Sequence, residues 1–285
     1  MHMIANWQGS PNHPRFISTR WPWHDVRGLF SLRAGGVSEP PYETLNVGLH
    51  VGDRPHAVLQ NRSRVAAWVG CGPETWVVPE QVHGNRVAVV DASFAGRGAL
   101  AVETAVPDVD ALVTAEPELP LAVFAADCVP MLFFDPVRRV VAAAHSGWKG
   151  TVGHIAREVL SCMREAFDCS PADVRVALGP SIRRCCYEVD ESVATMVRAE
   201  FGARTMVSRF GRPGKFLLSL QACIRMDLIA GGVLPDHIED TGACTSCQAD
   251  LLFSHRAHRG RTGRQLGIVC LSGGDGVKGQ ELGRA

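Results

Sequence analysis

Residues 119–168 read LPLAVFAADCVPMLFFDPVRRVVAAAHSGWKGTVGHIAREVLSCMREAFD. Two β-like runs, 119–135 and 138–147, lie either side of the turn-forming Asp135-Pro136. The pattern then changes period. Val152, Ile155, Val159, Met163 and Phe167 recur at three- and four-residue steps, which predicts a helix over 151–168 that ends before Ser170-Pro171. A strand pair feeding an amphipathic helix sets the class, and the flanking sequence extends it.

Further β-like runs are GLFSLRAGG (28–36), WVVPEQVHGNRVAVVD (76–91), DALVTAE (110–116), VRVALGP (174–180) and RQLGIVCLSGG (264–274). Helices are expected over 55–70, after Asp53 as a cap and with Val58, Val65 and Val69 inward. Others are expected near 190–200 and over 218–231, the last stopping at Gly231-Gly232. Interleaved strands and helices predict an α/β (α+β) protein with layered mixed sheets flanked by helices. No repeat and no Pro-, Gly- or Ser-rich linker divides the 285 residues, so one domain over 1–285 is expected.

Lys plus Arg equals Asp plus Glu at 29 each, which removes the basic field that drives non-specific nucleic-acid binding. No run approaches the ~20 apolar residues of a membrane span, and the start lacks a basic segment followed by an apolar one. The expected location is the cytoplasm. The ten cysteines lack the spacing of a small secreted scaffold, so each is judged singly as core filler, metal ligand or nucleophile.

Three runs carry a reactive side chain to a turn: His83 before Gly84-Asn85, Cys128 before Pro130, and His145 before Gly147. A thiolate and two imidazoles suit zinc, and three protein ligands leave a fourth position for water. Zinc lowers the pKa of bound water from 15.7 to about 7, which suits attack on an electron-poor carbon. Against this stands the reading of two satisfied turn histidines and a buried thiol, because separations of 45 and 17 residues match no local metal signature. The same set suits blue copper with Met131 as an axial ligand, although no H-x-H pair is present. It also suits a metal-free amidase or deamidase with Cys128 as nucleophile, or a structural zinc clamp. The H-x-E…P-C-x-x-C signature of zinc nucleobase deaminases is absent.

The blocks SLRAGGVS (31–38), TLNVGLHVGD (44–53), PEQVHG (79–84), PDVDALVT (107–114), ADCVPMLFFD (126–135), AHSGWKG (144–150) and GPSIRRCCYEV (179–189) resemble the YfiH/laccase-domain family over nearly the full length. The resemblance implies zinc at His83, Cys128 and His145, with copper also associated. It further implies purine nucleoside phosphorylase and adenosine deaminase activity, with inorganic phosphate as co-substrate and adenosine, inosine, guanosine or methylthioadenosine as nucleoside. Candidate substrate-binding residues are Arg33, Asn46, Arg62, Gln81, Asp127, Lys149, Tyr187 and Arg256. The general acid is left among Asp108, Asp110, Asp127 and Asp135. Four positions depart from the family pattern: Lys149 replaces arginine, Ser219 replaces aspartate, and His255 and Ala257 replace tyrosine and arginine.

Other features read as local. SGWKG (146–150) could present backbone N–H groups to an anion before a helix at Thr151. Arg259, Arg261 and Arg264 read as a solvated turn. Cys244 and Cys247 form a CxxC with only His255 and His258 nearby to complete a metal site, so two ordinary thiols are expected.

Overall fold

The computed structural model describes residues 14–273 and the backbone of the short strand β1 (Trp7–Gln8). The other strands in chain order are β2 (Phe16–Ser18), β3 (Val26–Ser31), β4 (Val87–Val89), β5 (Ala111–Thr114), β6 (Leu121–Ala125), β7 (Val129–Asp135) and β8 (Val140–Ser146). There follow β9 (Arg175–Leu178), β10 (Glu188–Asp190), β11 (Met206–Ser208), β12 (Lys215–Leu218), β13 (Ile238–Asp240) and β14 (Gln265–Leu271). The helices are α1 (Pro55–Val69), α2 (Trp148–Val152), α3 (Ile155–Phe167), α4 (Glu191–Phe201) and α5 (Leu220–Ala230).

The strands form three sheets: a five-stranded sheet in order β1-β2-β3-β14-β6, a six-stranded sheet in order β13-β9-β7-β8-β5-β4, and a small sheet β10-β12-β11. The two large sheets are mostly antiparallel, with parallel pairs β4/β5 and β9/β13 in the larger. They stack face to face. Leu121 and Val123 of β6 and Val269 and Leu271 of β14 share one core with Leu132 and Phe134 of β7 and Val141 and Ala143 of β8. Alternate residues point the other way. Met131 and Phe133 meet Val159 and Met163 of α3 and Ile224 and Leu228 of α5, whereas Phe124 and Ile268 meet Val65 and Val69 of α1. The result is four layers, helix–sheet–sheet–helices. Burying β6, β7, β8 and β14 on both faces is why these segments are apolar throughout instead of alternating.

The mixed α/β architecture with layered sheets and flanking helices agrees with the sequence reading, and its details correct that reading in five places. The run 119–135 is two strands in different sheets, joined by Ala126-Asp127-Cys128 with Asp127 at a left-handed φ of 92°. The segment 76–86 makes only the isolated bridges Val77–Leu121 and Pro79–Val106, so His83 sits on an irregular turn and not at a strand end. The expected helix 151–168 is broken into α2 and α3, because His154 takes φ 59°. SGWKG is therefore not a loop ahead of a helix, since Trp148 already begins α2. Finally, α1 is led by Arg54 and Pro55, while the carboxylate of Asp53 accepts from the Arg54 N–H and from Asn46 Nδ2 instead of capping.

Ser219 caps α5 by accepting the Ala222 N–H at 3.2 Å. Serine and aspartate are equivalent at such a position, which gives this departure a local structural role. Among the described residues no helix is long and apolar enough to cross a membrane.

Candidate active site

At one end of the inter-sheet layer the chain switches sheets, and the three reactive side chains converge there. Cys128 closes the link from β6 to β7. His145, at the penultimate position of β8, lies opposite Pro130 of β7. His83 arrives on its own turn, held at φ 61°. The donor atoms of the three lie within 4.8 Å of one another, and the two imidazoles meet edge to face at 4.8 Å between centroids. Zn–S near 2.3 Å and Zn–N near 2.0 Å place tetrahedral donors roughly 3.3–3.8 Å apart, so these three fit a single ion with one position open.

Asp110, just ahead of β5 and completely buried, organises the trio. His145 Nδ1 donates to Asp110 Oδ1 at 2.9 Å, and the backbone N–H groups of Val82, His83 and Gly84 donate to the same carboxylate at 3.2, 3.0 and 2.7 Å. One carboxylate thus fixes the left-handed turn that bears His83 and leaves Nε2 of His145 for the Cys128 side. Burial opposes ionisation of Asp110, but the hydrogen bond and charge of His145 and the amides of Gly84 and His83 outweigh it and hold the carboxyl below its usual range. Burial likewise resists a thiolate at Cys128. The charge of His145 and hydrogen bonds from His145 and His83 overcome it and bring Cys128 down to about 6. His145 rises to about 9 against its own desolvation, through the Cys128 charge and the Asp110 hydrogen bond. Both shifts favour the thiolate–imidazolium form of the pair in the absence of a metal. Gly147 makes the approach possible, since a Cβ there would stand 3.1 Å from His83 Cδ2 and 3.2 Å from Cys128 Sγ.

The trio opens into a cavity of about 550 Å³, within the range of small-molecule sites. Of the residues expected at a substrate site, Arg62, Gln81, Asp127, Tyr187 and Arg256 line it. Gln81 Nε2 donates to the Phe124 carbonyl and its Oε1 accepts the Phe124 N–H, both at 2.8 Å, pinning the His83 segment to β6. Arg62 is buried at 1% exposure with its Nε and Nη1 donating to the carbonyls of Val47, Gly98 and Ala99, and its guanidinium lies over Phe124 at 4.8 Å. Burial lowers it to about 10, so it stays charged at neutral pH. Asp127 accepts from Thr245 Oγ1, Ser254 Oγ and the Arg256 N–H, which ties three loops at the cavity wall. The Arg256 guanidinium lies over Tyr187, whose phenol is pushed upward by burial and by the Cys128 and Asp127 charges.

Arg33, Asn46 and Lys149 do not line the cavity. Arg33 donates to Glu43 and to the Ala249 carbonyl and lies over Phe253. Asn46 is wholly buried, and its Oδ1 accepts from Gly48 and Arg264 N–H groups, joining two cavity loops. Lys149 is exposed with its ammonium over Trp148. Of the four acids considered for proton donation, only Asp127 faces the cavity. Asp110 is committed to His145, Asp108 pairs with Arg86, and Asp135 accepts the Val137 and Arg138 N–H groups at the far end of β7. Met131, considered as an axial copper ligand, is in the helix-side core on the face of the sheet opposite His145.

The sequence reading passed over His50 and Glu80, marked His255 as a departure from the family pattern and took Arg264 as part of a solvated turn; all four line the cavity. Arg264 is no solvated turn residue: burial holds its pKa below the usual value, and its side chain packs where a Cβ on Gly48 would fall. His50 is an exposed residue of the cavity lining, and desolvation, then the charges of Arg264 and Arg62, hold it below the usual histidine value. The glycine in GLH (48–50) was the available signal. His255 and His258 do not complete a site with Cys244 and Cys247; Cys185 and Cys186 are the residues beside that pair.

A family model described as multi-copper polyphenol oxidoreductase laccase matches residues 27–272. Purine nucleoside phosphorylase YlmD of Geobacillus stearothermophilus is 42% identical over 245 residues, covering 86% of this chain and 89% of that protein. The Bacillus subtilis protein of the same name is 37% identical, with 86% and 88% covered. The crystal structure of Bacillus licheniformis YfiH superposes with a TM-score of 0.87 at 36% identity, covering 93% of this chain and 99% of that one. With a family model spanning most of its length and relatives this similar, the chain belongs to the laccase-like YfiH family.

Proposed function

We propose that the protein is a zinc-dependent purine nucleoside phosphorylase that also deaminates adenosine, with the whole chain acting as one domain. The observation that carries the reading is the placing of the His83–Cys128–His145 trio and of Arg62, Arg256 and Arg264 around one cavity of nucleoside size. Relatives named purine nucleoside phosphorylases support it. In phosphorolysis a phosphate oxygen bonds to C1′ of the ribose as the C1′–N bond to the purine breaks, giving ribose 1-phosphate and the base.

The charges of the arginines draw phosphate into the cavity, and the guanidinium N–H groups not committed to backbone carbonyls orient its oxygens. Tyr187 and Phe124 supply flat apolar surface for the nucleoside. Asp110 keeps His145 in the tautomer that presents Nε2, and Gly147 keeps the donors close. A zinc ion held by the trio supplies Lewis-acid polarisation and activation of water at neutral pH. Incubating adenosine with the protein, with and without phosphate, and separating the products tests this. Adenine appearing only with phosphate, inosine appearing without it, and loss of both in His83→Ala are expected. Absence of turnover in every condition removes the assignment.

One observation favours a second reading. The Cys128 sulfur and the His145 imidazole stand within 4.8 Å of each other, with the thiol shifted down and the imidazole up, which is the pairing of a cysteine nucleophile and its base and supports metal-free amide hydrolysis. Activity that survives chelation but is abolished by iodoacetamide would select it.

A further inference from the structure

The second group of sulfurs lies behind the cavity wall. Cys185 and Cys186 follow β9 on the turn that leads to Tyr187, and Cys244 and Cys247 sit on the loop after β13. All four Sγ atoms lie within 4.8 Å of one another: Cys185–Cys244 and Cys185–Cys247 are 3.5 Å apart and Cys186–Cys247 3.4 Å. We infer that Cys185, Cys186, Cys244 and Cys247 form a second metal site, separate from the trio, that binds one zinc ion as a tetrathiolate.

Three observations converge on this. The first is geometry. Four sulfurs 2.3 Å from a tetrahedral zinc stand about 3.8 Å from each other, whereas a disulfide brings two to about 2.05 Å. The four here are free thiols at separations near the former. The second is placement: Cys244 is bridged to Ser181 and the Thr245 N–H donates to the Ser181 carbonyl, so backbone contacts hold the segment bearing one cysteine pair against the segment bearing the other. The third is a tie between the two segments: Arg183, two residues before Cys185, donates through both Nη atoms to Asp240 at the end of β13, at 2.8 Å each, just ahead of the loop that carries Cys244 and Cys247. Binding replaces the thiol protons, which pass to solvent, and involves no electron transfer.

The ion would fasten the 181–187 turn to the 243–248 loop, which otherwise meet through the Ser181–Cys244 bridge and the Thr245 N–H to Ser181 carbonyl bond. Tyr187 is two residues beyond Cys185, and Thr245 holds Asp127 at 2.6 Å. The site therefore braces the cavity wall from outside and does not depend on the nucleoside reading.

The test is metal analysis of the full chain, purified without chelator under reducing, anaerobic conditions. Three proteins are compared: wild type, the trio-deleted His83→Ala/Cys128→Ala, and Cys185→Ser/Cys247→Ser. About one zinc per chain should remain in the trio-deleted protein, and cobalt(II) in its place should give the intense near-ultraviolet charge transfer of several thiolates. If Cys185→Ser/Cys247→Ser does not fold, alkylation of wild type with and without zinc replaces it. Zinc should shield all four cysteines, read by peptide mass spectrometry. A trio-deleted protein without zinc or thiolate-bound cobalt, or wild type with one of these pairs oxidised to a disulfide, would overturn the assignment. Loss of nucleoside turnover with the four-cysteine zinc retained would count only against the proposed activity.

Discussion

Asp110 Oδ1 stands 2.9 Å from His145 Nδ1, while the same carboxylate accepts the backbone N–H of His83, so one acid positions two of the three donors. Asp110→Asn keeps the shape but removes the charge, and an amide oxygen is a poorer acceptor for the imidazole N–H. Outer partners of this kind are worth about 10–100-fold in metal affinity. Chelator competition should show zinc held that much more weakly than in wild type. Unchanged affinity would mean that the trio needs no such support.

Gly147 has an ordinary φ of −82°, so alanine there strains no backbone. Its Cβ would instead press on His83 and Cys128, at 3.1 and 3.2 Å. Gly147→Ala should therefore fold normally, with its melting temperature close to wild type, yet bind zinc less tightly and turn over more slowly. A variant with full metal affinity would show that the trio has room to spread.

The chelated protein should carry a pH signature. Cys128 lies near 6 where an ordinary thiol is near 9, so its contribution to stability is complete above 9 and is lost as pH falls through about 6. His145 lies near 9 where ordinary histidine is near 6.5, so its contribution is complete below 6.5 and is lost as pH rises through about 9. Each shift depends on the other partner, so the pair stabilises the metal-free chain chiefly between about pH 6 and 9. Iodoacetamide labelling of Cys128 should rise with a midpoint near 6 in chelated wild type and at markedly higher pH in His145→Ala. A midpoint near 9 in both would show that no ion pair forms.

How far the sequence reached depended on what each feature rests on. The trio came from the resemblance carried by PEQVHG, ADCVPMLFFD and AHSGWKG, since its own spacing matches no local metal signature, whereas α3 was legible because its apolar stripe has one period throughout. Asp110 was one acid among four, since its role arises only when the 82–84 turn folds onto β5. The division of 119–135 between two sheets was hidden because both strands are buried on both faces, which removes any alternation to mark the crossing. Cys244 and Cys247 read as a lone pair because their neighbours are about 60 residues away in sequence. Arg264 was passed over because a cluster of arginines reads as a solvated surface until the loop's burial is known.

Arg264 and Arg62 should separate phosphate binding from nucleoside binding. Nη1 of Arg264 is held only by the local carbonyls of Thr262 and Gly263, so Arg264→Met removes a cavity charge at small structural cost. A charge-assisted hydrogen bond is worth about 1.5–3 kcal/mol, which predicts a KM for phosphate roughly 10–100-fold higher with the KM for nucleoside little changed. Arg62→Lys gives up at least one of the bonds to the Val47, Gly98 and Ala99 carbonyls, and should lower stability as well. A Arg264→Met protein with wild-type phosphate dependence would place the anion elsewhere.

Phe134 tests whether the inter-sheet layer carries the fold independently of the site. It is fully buried, with Trp21 and Trp23 rings at 5.7 and 5.6 Å. Truncation to alanine leaves a cavity between two sheets that cannot collapse far, and such changes cost about 3–5 kcal/mol. Phe210, fully exposed, serves as the control, and its alanine variant should stay within about 0.5 kcal/mol of wild type. Urea titration reads both as shifts in midpoint at constant slope. Phe134 lies toward the opposite end of β7 from Cys128, six residues or roughly 20 Å of extended chain away, so the folded variant should bind zinc as wild type does. If its zinc affinity fell with its stability, the trio would have to be coupled to the packing of the whole layer and not held by Asp110 and Gly147 alone.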